Sequence, residues 1–176
     1  MADTLSCDIS LNTKLTPEQR NKYQNSKEIR ALLTTAKKVA VVGLSTESTK
    51  ASNMVASYLR DEGFELVPVH PKADEILGFK AYPSIADIPF AVDIVDVFRP
   101  PHELPGIVDQ AIANGAKAVW FQLRLINFEA ADKAREAGLV AVMDKCIKME
   151  HGRYGGMLHW AGMNTEVISA KRRAAS

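Results

Sequence analysis

Short, mostly apolar runs recur along the chain at Val39 to Val42, Leu66 to Val69, Asp93 to Phe98, Ala118 to Phe121 and Leu139 to Met143. They are rich in valine and lie roughly two dozen residues apart, the pattern of strands buried on both faces of a parallel sheet. Between them, apolar residues fall at helical spacing. Met54, Val55, Tyr58 and Leu59 share a face ahead of Gly63, and Leu104, Ile107, Val108, Ala111 and Ile112 share another ahead of Asn114-Gly115. Asn127 is suited to cap a third helix, in which Phe128, Ala131, Ala134 and Ala137 give a small-residue face that Gly138 ends.

Between the second and third runs, Pro83 and Pro89 bracket only Ser84-Ile85-Ala86-Asp87-Ile88, which leaves room for one short helical turn. Alternation of strand and helix with right-handed crossovers predicts an α/β fold: a doubly wound, Rossmann-like parallel five-stranded sheet in the order 3-2-1-4-5, in a single domain. Ahead of it, Thr16-Pro17-Glu18-Gln19 has the pattern of a capped helix start, and Ser26 caps a second helix carrying Ile29, Leu32 and Leu33. These helices are expected to pack on the sheet or on another subunit. After Met149 the segment from His151 to Gly156 is flexible in composition, and Asn164 to Lys171 is suited to a last short helix. The chain thus divides into a helical extension (1–36), the Rossmann-like domain (37–153) and a C-terminal extension (154–176).

Length and charge narrow the function. With 176 residues, 47% hydrophobic, 24% charged and a net charge of +1, the chain has the composition of a soluble globular protein without a basic field for nucleic acid. Lys171-Arg172-Arg173 reads as a solvated tail. No apolar run approaches the ~20 residues of a membrane span, and the N-terminus lacks the features of a signal peptide, so a cytoplasmic protein with no membrane partner is expected. Cys7 and Cys146 stand far apart and outside any metal-ligand spacing, so they read as reduced thiols and no metal site is expected.

In a doubly wound sheet the ligand crevice opens at the carboxyl ends of the strands, and the order above puts it where strands one and four diverge. Gly43, at the end of the first run, leads into Leu44-Ser45-Thr46-Glu47-Ser48-Thr49-Lys50 and a helix start. Ser45 and Ser48 stand where a Gly-x-Gly-x-x-Gly fingerprint would have glycines, so the segment is either a simple strand-to-helix turn or an anion cradle. The hydroxyls of Ser45, Thr46, Ser48, Thr49 and Ser52 and the charge of Lys50 favour a diphosphate. The second strand ends Val67-Pro68-Val69-His70-Pro71-Lys72, without the acid that an NAD ribose requires. A cationic end suits a phosphorylated ribose, as in coenzyme A or NADP, with Lys72 as its partner; the alternative is an ordinary solvated lysine.

These features extend to a family. Val41-Val42-Gly43-Leu44-Ser45, Tyr58-Leu59 with Gly63, Pro68-Val69-His70-Pro71-Lys72, Gly78, Tyr82-Pro83-Ser84, Asp87-Ile88-Pro89, Val97-Phe98-Arg99-Pro100, Val119-Trp120-Phe121-Gln122 and Cys146-Ile147-Lys148-Met149-Glu150-His151 resemble the stand-alone CoA-binding proteins. These in turn are similar to the N-terminal nucleotide-binding domain of the succinyl-CoA synthetase alpha subunit. The resemblance runs from about Lys37 to Arg153. It implies a CoA diphosphate on the Gly43-Leu44-Ser45 turn and the helix start that follows, which holds Thr46, Lys50 and Ser52. It implies the adenosine end near Val69, His70, Pro71 and Lys72, the Phe98-Arg99-Pro100-Pro101 loop flanking the ligand, and Gln122 facing the crevice. The chain departs from the family at Arg124, where glycine usually follows Gln-Leu; either the turn is accommodated differently or Arg124 adds a phosphate contact.

Arg99, extended by the proline after it, holds its guanidinium over the crevice or pairs with Asp96 or Glu103. Trp120 and Phe121 continue a buried strand and read as core. Cys146 and His151, with Asp144, Lys145 and Glu150 nearby, do not by spacing establish a nucleophile and its base; Cys146 reads as a packed thiol, although a cysteine near CoA can form a mixed disulfide. The resulting expectation is non-catalytic binding of coenzyme A or an acyl-CoA. Alternatives are an NADP- or CoA-thioester-dependent enzyme or redox sensor using Cys146, and a structural subunit; a homodimer or a partner enzyme is the expected assembly.

Overall fold

The computed structural model describes residues 14–154. Cys7, the Lys171-Arg172-Arg173 cluster and the helix expected over Asn164 to Lys171 lie outside the described residues. The strands are β1 (Lys38–Val42), β2 (Glu65–Val69), β3 (Glu75–Ile76), β4 (Phe79–Lys80), β5 (Ile94–Val97), β6 (Ala118–Phe121) and β7 (Val140–Val142). The helices are α1 (Pro17–Tyr23), α2 (Ser26–Thr35), α3 (Ala51–Asp61), α4 (Leu104–Asn114), α5 (Phe128–Glu136) and α6 (Ile147–Tyr154).

Five strands form the expected parallel sheet of a single Rossmann-like domain, but its order corrects the expected 3-2-1-4-5. The sheet runs β2-β1-β5-β6-β7, so the third long strand lies beside the first, on the side away from the second. In terms of the long strands this is 2-1-3-4-5. Pro68 gives the reason. Residues on either side of it bond to β1, with Gly43 N–H donating to the Val69 carbonyl, while the Pro68 carbonyl faces outward and accepts from Tyr82 N–H at 2.9 Å. The N–H that proline lacks would point the same way, so β2 belongs at an edge rather than between two strands.

The connection from β2 to β5 contains the expected single helical turn, at Ile85–Asp87, and a hairpin of β3 and β4 that periodicity did not indicate. Its continuation bridges Tyr82 to Val69 and covers part of the β2 edge.

Side chains alternate across the sheet as the period of two requires. Ala40, Val42, Val95, Val97, Val119 and Phe121 join the core under α4 and α5. Val39, Val41, Ile94, Trp120 and Val142 join the core with residues of α2, α3 and α6. Trp120 and Phe121 are both fully buried, as expected of core residues, and the Trp120 indole donates to the Lys145 carbonyl at 2.7 Å.

Two local expectations change. Asn25, not Ser26, caps α2, because its carboxamide oxygen accepts from both Lys27 N–H and Glu28 N–H. His151 to Tyr154 belong to α6 rather than to a flexible segment, since His151, Gly152 and Arg153 are buried. The His151 ring stands edge-on to Tyr58 and Phe64, and packing of that kind overrides the low helix propensity of glycine. Among the described residues, no helix is long and apolar enough to cross a membrane.

Helix α1 starts with the capping box read from Thr16 and Gln19, and it ends by attaching to the far side of the sheet. Tyr23 is buried under α4 and α5, its hydroxyl donates to Asp132 at 2.6 Å, and its carbonyl accepts from Met143 N–H. Replacing Tyr23 by alanine is therefore expected to destabilise the whole domain by about 3–5 kcal/mol in urea unfolding, the range for emptying a buried aromatic site.

Candidate functional site

With β5 beside β1, the topological switch falls between these two strands. A cavity of about 430 Å³ opens there. Its walls are the end of β1 with Gly43, Leu44 and Ser45; the end of β2 with Val69, His70 and Pro71; the Pro83-Ser84-Ile85 turn; and Arg99, Glu103, Ile107 and Gln110 leading into and along α4.

Gly43 has φ +83°, and a Cβ there would lie 2.8 Å from Arg99 Cδ. The left-handed backbone favours glycine at this position, and the arginine stem would have to shift to admit a Cβ. Ser45 N–H donates to Ser52 Oγ, Ser45 Oγ accepts from Glu47 N–H, and the Asn53 amide donates to the Ser45 carbonyl. The buried Ser52 and Asn53 thus tie the loop to the first turn of α3. No side chain caps that turn from Lys50, so the helix start retains N–H groups without intrahelical partners.

Arg99 takes the second of its two expected partners. Its Nε and Nη2 donate to the two Glu103 oxygens at 2.8 and 2.7 Å, a bidentate pair that pushes the arginine pKa up and the Glu103 carboxyl down. At the end of β2, Lys72 N–H and Ala73 N–H both donate to His70 Nδ1, so the ring proton sits on Nε2 and that edge is a donor.

Of the residues expected at the site, Gly43, Leu44, Ser45, Val69, His70, Pro71 and Arg99 line the cavity. Thr46, Lys50, Lys72 and Pro100 are exposed beside it, with Lys50 paired to Glu47, and Ser52 lies beneath the turn. Phe98 packs on the opposite face of the sheet. Gln122 is buried away from the cavity and donates to Asp96 at 2.7 Å; the corrected strand order moves the switch off β6, which is why it does not face the crevice. Pro83, Ser84, Glu103, Ile107 and Gln110 were not expected on the wall. The edge position of Pro68 was the signal that would have brought them in.

Beyond the carboxyl end of β6, Arg124 takes a left-handed conformation with φ +67°, and its N–H donates to Asp144 Oδ1 at 2.7 Å, which holds the turn. Cys146 is half-buried, and burial pushes its thiol pKa up. His151 Nδ1 lies 3.0 Å from the Tyr58 hydroxyl, and burial pushes the imidazole pKa down. Among the described residues, no group of His, Cys, Asp or Glu is arranged to hold a metal ion.

A glycine turn at the switch of a doubly wound sheet, with an uncapped helix start behind it and a largely apolar slot beside it, is an arrangement suited to a nucleotide cofactor. The chain belongs to the CoA-binding domain family: the family model described as "CoA binding domain" matches residues 37–152. It is 41% identical over 124 residues to the uncharacterized protein YneT of Bacillus subtilis, covering 70% of this chain and 92% of that one. A solved structure of a hypothetical protein from Pyrococcus horikoshii is similar with 41% identity and a TM-score of 0.70, over 88% of this chain and 99% of that one. An ADP-forming acetate–CoA ligase of Archaeoglobus fulgidus is 30% identical over 123 residues, 64% of this chain but only 18% of the ligase.

Asp96 yields a pH-dependent prediction. Fully buried in β5, it accepts from Gln122 through Oδ1 while Oδ2 has no hydrogen-bond partner, and burial raises its pKa from 3.8 to about 7. The unfolded chain ionises this group first. Its contribution is therefore fully present below pH ~4 and falls away as pH rises towards 7, by on the order of 4 kcal/mol. Asp96→Asn is expected to match the parent in urea unfolding at pH 4 and to exceed it at pH 8.

Proposed function

We propose that the chain binds coenzyme A or an acyl-CoA without transforming it, holding the diphosphate at the Gly43 turn and the α3 start. The observation that carries this reading is the close approach of Arg99 to Gly43. It sets one cation across the mouth of a cavity whose floor is a glycine turn, and family membership supplies the ligand class. The Nε side of the guanidinium is engaged by Glu103, leaving Nη1 to meet a phosphate oxygen.

The fit extends beyond that cation. His70, Pro71 and Val69 form the wall expected beside the adenosine, and the exposed Lys72 next to them is within the chain's reach of a ribose phosphate. Use of Cys146 as a nucleophile is the less favoured reading, because burial holds the thiol protonated and His151 is engaged by Tyr58. The relationship to a segment of acetate–CoA ligases supports a partner enzyme as an alternative setting for the same binding.

Isothermal titration checks the proposal. CoA is expected to bind more tightly than dephospho-CoA, by about fivefold for an exposed charge pair, and Lys72→Ala is expected to remove the difference. Arg99→Ala should weaken both ligands about 10- to 100-fold, as loss of a hydrogen bond between charged groups does. No detectable CoA binding at millimolar ligand would sink the reading.

A further inference from the structure

The cavity beside the Gly43 turn has walls made mostly of Val42, Val69, Pro71, Pro83, Ile85 and Ile107. Its polar side chains are few, and most are spoken for. Ser45 accepts from Glu47 N–H, Ser84 donates to Asp87, and Arg99 and Glu103 hold each other. Besides Arg99 Nη1 and the Ser45 hydroxyl proton, both on the side of the Gly43 turn, two polar edges remain. One is the His70 Nε2–H, whose direction is set because Nδ1 accepts two backbone N–H groups. The other is the Gln110 carboxamide, projecting from α4, which has no hydrogen bond among the described residues.

We propose that Gln110 is a specificity-determining residue that reads the edge of a purine base inserted between the end of β2 and α4. The inference rests on the CoA-binding reading above and assigns one end of the ligand to this slot. A cavity of about 430 Å³ lies at the small end of ligand sites, so it takes one end of a CoA-sized molecule rather than the whole. Proline and branched aliphatic walls suit a flat aromatic face. A carboxamide supplies a donor and an acceptor side by side, matching the adjacent acceptor and amino group on an adenine edge. The imidazole N–H offers a further donor to a ring nitrogen.

The experiment is titration of the full chain and of Gln110→Leu with three probes: CoA, 3′,5′-ADP and 4′-phosphopantetheine. Leucine keeps the volume and helix propensity at an α4 position that is only partly buried, so the variant's thermal unfolding serves as its folding check. The expected result is that the variant loses affinity for CoA and for 3′,5′-ADP by the same factor, about tenfold, and binds 4′-phosphopantetheine as the parent does. Unchanged CoA affinity in the variant overturns the assignment. So does a loss confined to 4′-phosphopantetheine, which would put the other end of the ligand in the slot. If the parent itself binds no CoA, the reading beneath this one fails, and this one with it.

Discussion

A strand that contains proline cannot be fully paired on the side where the missing N–H would point, and in β2 that side faces away from β1. This constraint organises the functional half of the molecule. With β2 confined to the edge, the chain crosses over β1 to lay β5 on its other side, and the switch point falls between β1 and β5. The two loops that leave these strands are then neighbours. One begins with Gly43 and the other carries Arg99, and they approach so closely that a Cβ on Gly43 would displace the arginine stem.

Charge at the crevice is arranged rather than accumulated. Arg99 arrives with Glu103 attached by two hydrogen bonds, which fixes the direction of the guanidinium and tempers its field. Lys50 and Lys72 stand outside the walls, in water, where their interactions are screened. Among the described residues, the carboxyl that burial makes costly to ionise, Asp96, lies on the opposite face of β5, turned towards Gln122. Backbone strain collects at the carboxyl edge too: Arg124 and Asp144 both take left-handed conformations, and the Asp144 carboxylate holds the Arg124 N–H.

A fold of this class hosts many activities, and only the site separates them. Here the match to YneT covers nearly the whole of that protein, whereas the match to the acetate–CoA ligase covers a minor part of a much longer chain. The same module therefore occurs as most of a small protein and as a segment of a large one.

Much of the architecture was legible from local pattern. The apolar runs marked the five long strands to within a residue or so at each end, and Thr16 with Gln19, Asn127 and the Pro83–Pro89 interval marked caps and a short turn, because such signals act over a few residues. The Gly43 turn and the end of β2 were legible for the same reason. Strand order was not, since neighbours in a parallel sheet are set by crossovers that span many residues and leave only indirect traces, of which Pro68 was one. That order alone decided that Gln122 would be buried against Asp96 and that Glu103, Ile107 and Gln110 would line the slot. By itself, then, the sequence determined the elements and the chemical character of two loops, through short-range periodicity and backbone sterics. Only the tertiary structure decided which side chains meet across the crevice, because that depends on where β5 docks against β1.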